Sequence, residues 1–231
     1  MSNSAEFLNF LQEQINNNQF LSPEEQTIFL ETEKLVVTDK PLSNKTSKTV
    51  ILTPHASIIS SIFAQLTERL NWIFDFINTE EFYQSLATAV INNDPNSSAK
   101  NLLTAIVQKI ANIFNDYRVN VFVYGTLLPG EINHYLMAGS VFLADDSLAN
   151  AELYNASKYP ILIIGKGVVH GKHYQVPLKN MEALDKLEEH PNYYCREILT
   201  LTSGKQAWVY LGKKSLVRDL PRITSGNWYK R

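Results

Sequence analysis

All nine glycines of the 231-residue chain lie at or after position 125, so the first 118 residues contain none. Glycine supplies positive φ and close backbone approach, and a chain without it lacks the usual means of making tight turns. The asymmetry marks a boundary near residue 118. Charge divides at the same place. Residues 1–118 carry 8 basic and 13 acidic side chains, a net of −5, and residues 119–231 carry 13 and 10, a net of +3. Two domains are expected, 1–117 and 118–231.

The first half is expected to be all α-helical. Ser4 caps a segment with Phe7, Leu8, Leu11 and Ile15 at helical spacing, and Ser22-Pro23-Glu24-Glu25 is a helix start. Nine apolar residues from Ile58 to Ile77 repeat at helical intervals. Further helices are expected from Thr79 and from about Ser98 to Asp116, separated by the breaker Asn92-Asn93-Asp94-Pro95-Asn96. Thr38 to Thr53, with Pro41, is expected to be a loop. The stripes suit packing in a bundle, and no catalytic motif occurs among them. Such faces must bury against something, so self-association or a protein partner through residues 1–117 is the expected task.

Composition excludes several classes. A net charge of −2 leaves no electrostatic footprint for nucleic acid or an anionic membrane. Ala56 to Ile77 contains Gln65, Glu68, Arg69 and Asp75, so it does not read as a membrane span. The N-terminus lacks the basic and apolar regions of a signal peptide. The single cysteine, Cys195, rules out an intrachain disulfide and a four-thiolate zinc site, and a reducing, cytoplasmic setting is expected.

The second half alternates like an α+β domain, in the manner of a small mixed β-barrel with few helices. Strands are expected at Val119–Tyr124, Ile161–Ile164, Val168–Val176, Arg196–Thr202 and Gln206–Leu211. The last two form a hairpin across Ser203-Gly204-Lys205. One helix, about Leu178 to Glu189, is stopped by Pro191. On its wheel Glu188 falls between Met181 and Leu184, on the apolar face. A carboxyl so placed has a raised pKa, suited to a general base. The alternatives are a frayed turn with Glu188 in solvent, or pairing with Arg196. Val121 to Tyr124 ends abruptly at Gly125, and such a turn either cradles an anion on its N–H groups or is an ordinary β-turn.

These segments resemble the γ-glutamylcyclotransferase-like family, with its AIG2-like and γ-glutamylamine cyclotransferase branches. Tyr124-Gly125-Thr126-Leu127 is similar to its Tyr-Gly-Ser/Thr-Leu signature. Leu184 to Arg196 is similar to its pattern Leu-Asp-x-x-Glu-Gly-x-Pro-x-x-Tyr-x-Arg. Ala151-Glu152-Leu153-Tyr154, Tyr159-Pro160, Val169-His170-Gly171 and Ser225-Gly226-Asn227-Trp228 add weaker matches. Two residues depart: Glu189 stands where glycine is usual, and Asn227 where aspartate is common. The resemblance implies intramolecular aminolysis of a small γ-glutamyl amide with release of 5-oxoproline, without metal or cofactor. It implies Glu188 as general acid/base. It implies substrate binding by Tyr124, Gly125, Thr126, Leu127, Tyr194 and Arg196, Arg196 having a structural alternative. A second carboxylate at Glu189 is expected to disfavour anionic substrates or to raise the pKa of Glu188.

The other candidates read as structural. Cys195 points away from Tyr194 and Arg196 and has no paired histidine, which argues against an acyltransferase or hydrolase. His134, His170, His173 and His190 lack metal-ligand spacing and are expected at the surface. Trp208 and Tyr210 are expected in the core. The competing functional class is a non-catalytic binding module of the same fold whose helical half docks a partner.

Overall fold

A computed structural model of the protein describes residues 9, 13, 70–78, 81–82, 85–86 and 99–231. The expected helix beginning at Ser22, the helix beginning at Ser4 apart from Asn9 and Glu13, which are helical, the greater part of the Ile58–Ile77 stripe and the Thr38–Thr53 loop lie outside these residues. The chain divides into two units, Met1–Asn115 and Asp116–Arg231.

In the first unit, α1 spans Ala99–Asp116, as the spacing predicts. It buries Ile106, Val107, Ile110 and Phe114. The end of the Ile58–Ile77 stripe is not a continuous α-helix. Asn71–Asp75 forms a 3-10 turn that buries Ile73. Trp72 packs edge-on against Phe114, their centroids 5.9 Å apart. Among the described residues of this unit there is no strand. Among all described residues no helix is long and apolar enough to cross a membrane.

The second unit is a curled, mixed five-stranded sheet. Its strands are β1 (Arg118–Val123), β2 (Val141–Asn155), β3 (Pro160–Pro177), β4 (Tyr194–Thr200) and β5 (Gln206–Gly212), in the order β2-β3-β1-β5-β4. Only the β1–β5 pairing is parallel. The curl brings the two edges together: the Thr202 N–H, in the β4–β5 turn, donates to the Ser147 carbonyl of β2 at 2.8 Å. The Asp146 carboxylate accepts from the Ser203 hydroxyl beside it.

Two strand expectations change. Gly165-Lys166-Gly167 is not a break but the middle of the 18-residue β3. Here glycine serves close approach: a Cβ on Gly165 would fall 2.4 Å from the Glu152 side chain. The first half of β2 carries no strand signal because Val141 to Asp145 are all exposed, so nothing imposes alternation. The hairpin across Ser203-Gly204-Lys205 forms as expected, with Gly204 at φ 81°.

α2 (Leu178–Leu187) follows β3 directly and buries Leu178, Met181 and Leu184. The C-terminal residues strap the sheet. The Ile223 N–H donates to the Leu153 carbonyl and the Gly226 carbonyl accepts from the His170 N–H. Trp228 is fully buried.

Candidate active site

The end of α2 explains where Glu188 sits. The His190 N–H donates to the Asp185 carbonyl at 2.9 Å and the Glu189 N–H to the Lys186 carbonyl at 3.3 Å. This is a Schellman closure, in which the residue after the cap must be left-handed. That residue is Glu189, at φ 49°. The usual glycine of the motif thus has a conformational reason, and this chain holds a glutamate in the same backbone state. Glu188 is the cap residue itself, on the same side as Met181 and Leu184.

Glu188 borders a cavity of about 170 Å³. The turn that ends β1 lines it too: Tyr124, Gly125, Thr126 and Leu127 share the cavity with Glu188 and Tyr194. The N–H groups of Gly125, Thr126 and Leu127 have no protein acceptor among the described residues. The turn is braced from behind. The Asn133 N–H donates to the Thr126 carbonyl, the Asn133 amide to the Thr126 hydroxyl, and His134 Nδ1 to the Leu127 carbonyl at 2.8 Å. The Tyr229 hydroxyl donates to the Pro129 carbonyl at 2.7 Å.

Gly125 is confined by the opposite wall. A Cβ there would fall 2.6 Å from Pro160 Cγ. Gly125→Ala is therefore expected to push the Tyr159–Pro160 turn outward and cost about 1–3 kcal/mol, measured by urea unfolding. A cost below about 0.5 kcal/mol, the range of ordinary surface changes, would mean that Pro160 gives way freely.

Burial pushes the Glu188 carboxyl up to about 7 from its ordinary 4.5, and the Asp185 charge pushes the same way. Glu188 is only partly exposed, and no protein group hydrogen-bonds its carboxyl among the described residues. The second carboxylate acting on it is Asp185, not Glu189 as the sequence suggests. The hydroxyls around it are buried and held. Tyr124 donates to the Tyr210 carbonyl at 2.6 Å, Tyr194 to the Pro160 carbonyl at 2.9 Å and Tyr210 to Asp185 Oδ1 at 2.6 Å. Burial, with Glu188 contributing, raises the pKa of all three, so they stay neutral. The Tyr194 proton is thus committed to Pro160 rather than to Glu188.

Arg196 is not in the cavity. Its side chain is 4% exposed, and its Nε donates to both Asp185 oxygens, at 2.9 and 3.2 Å. Its guanidinium also lies 4.9 Å from the Trp208 ring centroid. Outside the cavity lining and with its Nε on the Asp185 carboxylate, Arg196 makes a structural contact in place of the expected substrate contact. It does not pair with Glu188 either.

The structure brings together residues that composition and spacing did not connect. Asp185 sits within the family pattern, but only packing reveals it beneath Glu188. Tyr159, Tyr193 and Tyr210 also line the cavity. Tyr210 is buried as expected, whereas Trp208 is half-exposed. His170 is exposed, but His173 is buried, contrary to expectation, because β3 is covered at that point. His190 accepts from the Arg196 N–H through Nδ1. Among the described residues no cluster of three or more His, Cys, Asp or Glu is gathered to hold a metal.

Residues 121–230 match the family described as gamma-glutamyl cyclotransferase, AIG2-like. The γ-glutamylcyclotransferase family protein YtfP of Citrobacter rodentium is 33% identical over 113 residues, covering 49% of this chain and 97% of the relative. Its Escherichia coli K12 counterpart is 33% identical, covering 49% and 98%. The γ-L-glutamyl-butirosin B γ-glutamyl cyclotransferase of Niallia circulans is 35% identical over 72 residues, covering 31% of this chain and 46% of the relative. With near-complete coverage of relatives a third identical to it, and with the signature turn and the Glu188 helix end on one cavity, the chain belongs to the γ-glutamylcyclotransferase family through its second unit.

Proposed function

We propose that the protein converts a γ-glutamyl amide to 5-oxoproline and a free amine. One juxtaposition carries this reading: a carboxyl with its pKa near 7 shares a cavity with backbone N–H groups that lack protein acceptors. The substrate supplies both its nucleophile and its electrophile. Glu188 takes a proton from the α-ammonium. The freed α-nitrogen attacks the γ-carbonyl carbon, forming the ring C–N bond and an oxyanion. The Gly125, Thr126 and Leu127 N–H groups hold that oxyanion or the substrate carboxylate. The tetrahedral carbon then expels the amide nitrogen, which receives the proton from Glu188. The ring nitrogen, which attacked with two hydrogens, gives its second proton to the regenerated Glu188 carboxylate and through it to the released amine, which leaves as an ammonium; the cavity's main contribution is to hold the folded conformer in which the substrate's two ends meet.

The test is 5-oxoproline release, measured chromatographically, across γ-glutamyl compounds with amino-acid, amine and peptide leaving groups. Release from none of them would refute the activity. The first unit is proposed to be a helical module that the chemistry does not require, serving self-association or a protein partner. In support, the second unit alone accounts for nearly the whole length of the YtfP relatives. Residues 116–231 are thus expected to fold alone and to turn over within about threefold of the full chain, a difference of less than about 0.7 kcal/mol in barrier. A folded fragment without activity would show that the first unit helps build the site. A single cysteine without a partner suits a reducing, cytoplasmic setting.

A further inference from the structure

We infer that the exposed side of the cavity selects a γ-glutamyl amide whose leaving amine carries a second, positively charged nitrogen, seated between Glu189, Tyr159 and Tyr193. This rests on the cyclotransferase reading of the same cavity and names the leaving group that reading leaves open.

Glu189 lines the cavity next to Glu188. Its left-handed backbone suits glycine, and a side chain there costs on the order of 1 kcal/mol. The side chain that bears this cost is exposed and lines the cavity. Among the described residues it has no hydrogen-bond or ion-pair partner. It therefore contributes nothing to the fold that would offset its strain. Residues held in sparsely populated backbone states cluster at active sites and ligand clamps.

What stands next to it is suited to a cation. The Glu189 carbonyl accepts the N–H groups of Asn192 and Tyr193, at 2.8 and 3.0 Å, which anchors the Tyr193 backbone to the carboxylate-bearing residue. The Tyr193 hydroxyl bonds the Tyr159 hydroxyl at 3.0 Å. The two rings cross at 78° with centroids 6.2 Å apart. Crossed aromatic rings beside a carboxylate attract an ammonium through ring quadrupole and charge together. The C-terminal end of α2 adds its negative pole on the same side. The nearby Lys213 ammonium is held on the Asn192 carbonyl at 2.8 Å rather than on Glu189. A leaving group with a carboxylate would instead meet Glu189 and Glu188.

The experiment compares three γ-glutamyl amides with four-carbon leaving groups of matched length: 1,4-diaminobutane, n-butylamine and 4-aminobutyrate. The full chain is expected to favour the cationic compound over the neutral one by on the order of tenfold in kcat/KM, with the anionic one lowest. Glu189→Gln and Glu189→Gly, the latter matched to the backbone conformation, are each expected to bring the cation-to-neutral ratio close to one. Equal turnover of the three compounds by the unaltered chain, or a preference that survives both variants, would overturn the inference. Calorimetric binding of the same compounds separates it from the parent reading. Cation-selective, Glu189-dependent binding without 5-oxoproline release would uphold this seat and refute the reaction. Binding without selectivity would refute the seat whatever the turnover.

Discussion

Glu188→Gln is expected to lower 5-oxoproline release by a factor on the order of 10²–10⁴ while leaving the chain folded. Glutamine keeps the size and polarity of the side chain but cannot accept the α-ammonium proton. The same group fixes the pH profile. In the free protein its pKa is about 7, so kcat/KM should rise through that pH as the base ionises. Stability runs the other way. The folded state holds the Glu188 proton more tightly than an unfolded chain, whose glutamate titrates near 4.5. The resulting stabilisation is fully present below pH 4.5 and is lost as pH rises through about 7. Discounted for solvent reaching the carboxyl through the cavity, it amounts to roughly 2–3 kcal/mol. The active protonation state is thus the less stable one. Urea unfolding at pH 5 and pH 8 should show the unaltered chain losing more stability than the Gln variant over that interval. A Gln variant with full activity, or with an unchanged pH slope, would remove Glu188 from the proposed role.

Much of the second unit is legible in the sequence because local chemistry and packing agree there. The hairpin across Ser203-Gly204-Lys205 and the helix from Leu178 follow from turn residues and spacing. Glu188 could be placed because Met181 and Leu184 flank it on the wheel, and the helix keeps that face to its end. Four features could not be read. Gly165 looks like punctuation, but its glycine answers Glu152 on the neighbouring strand, which no local window contains. Exposed Val141 to Asp145 lack the alternation that burial imposes. Arg196 lies eleven residues from Asp185 and next to the site motif, and only the pairing of β4 with β5 shows that it turns under α2 instead of into the cavity. The conformational reason for Glu189 is likewise hidden, since a left-handed φ leaves no trace in a sequence when glycine is absent.

Arg196→Ala is expected to cost about 3–5 kcal/mol of stability, the largest loss of any single truncation near the cavity. The magnitude follows from what would remain. Asp185 is 17% exposed and its charge is answered on one side by both contacts from Arg196 Nε and on the other by the Tyr210 hydroxyl. Removing the guanidinium leaves a largely covered carboxylate with one neutral donor, and it also uncovers the Trp208 ring on which the guanidinium rests. Lysine should recover only part of the loss, because a single ammonium cannot reproduce the planar group that meets the carboxylate and the ring together. The decisive comparison is the double variant Asp185→Asn, Arg196→Met. It removes the charge that truncation strands and refills most of the guanidinium's volume, so it should be markedly more stable than Arg196→Ala alone. If the single variant costs less than about 1 kcal/mol, the pair behaves as a solvent-exposed ion pair would. In that event Arg196 would not be what holds Asp185 beneath Glu188, and the cavity floor would need another support.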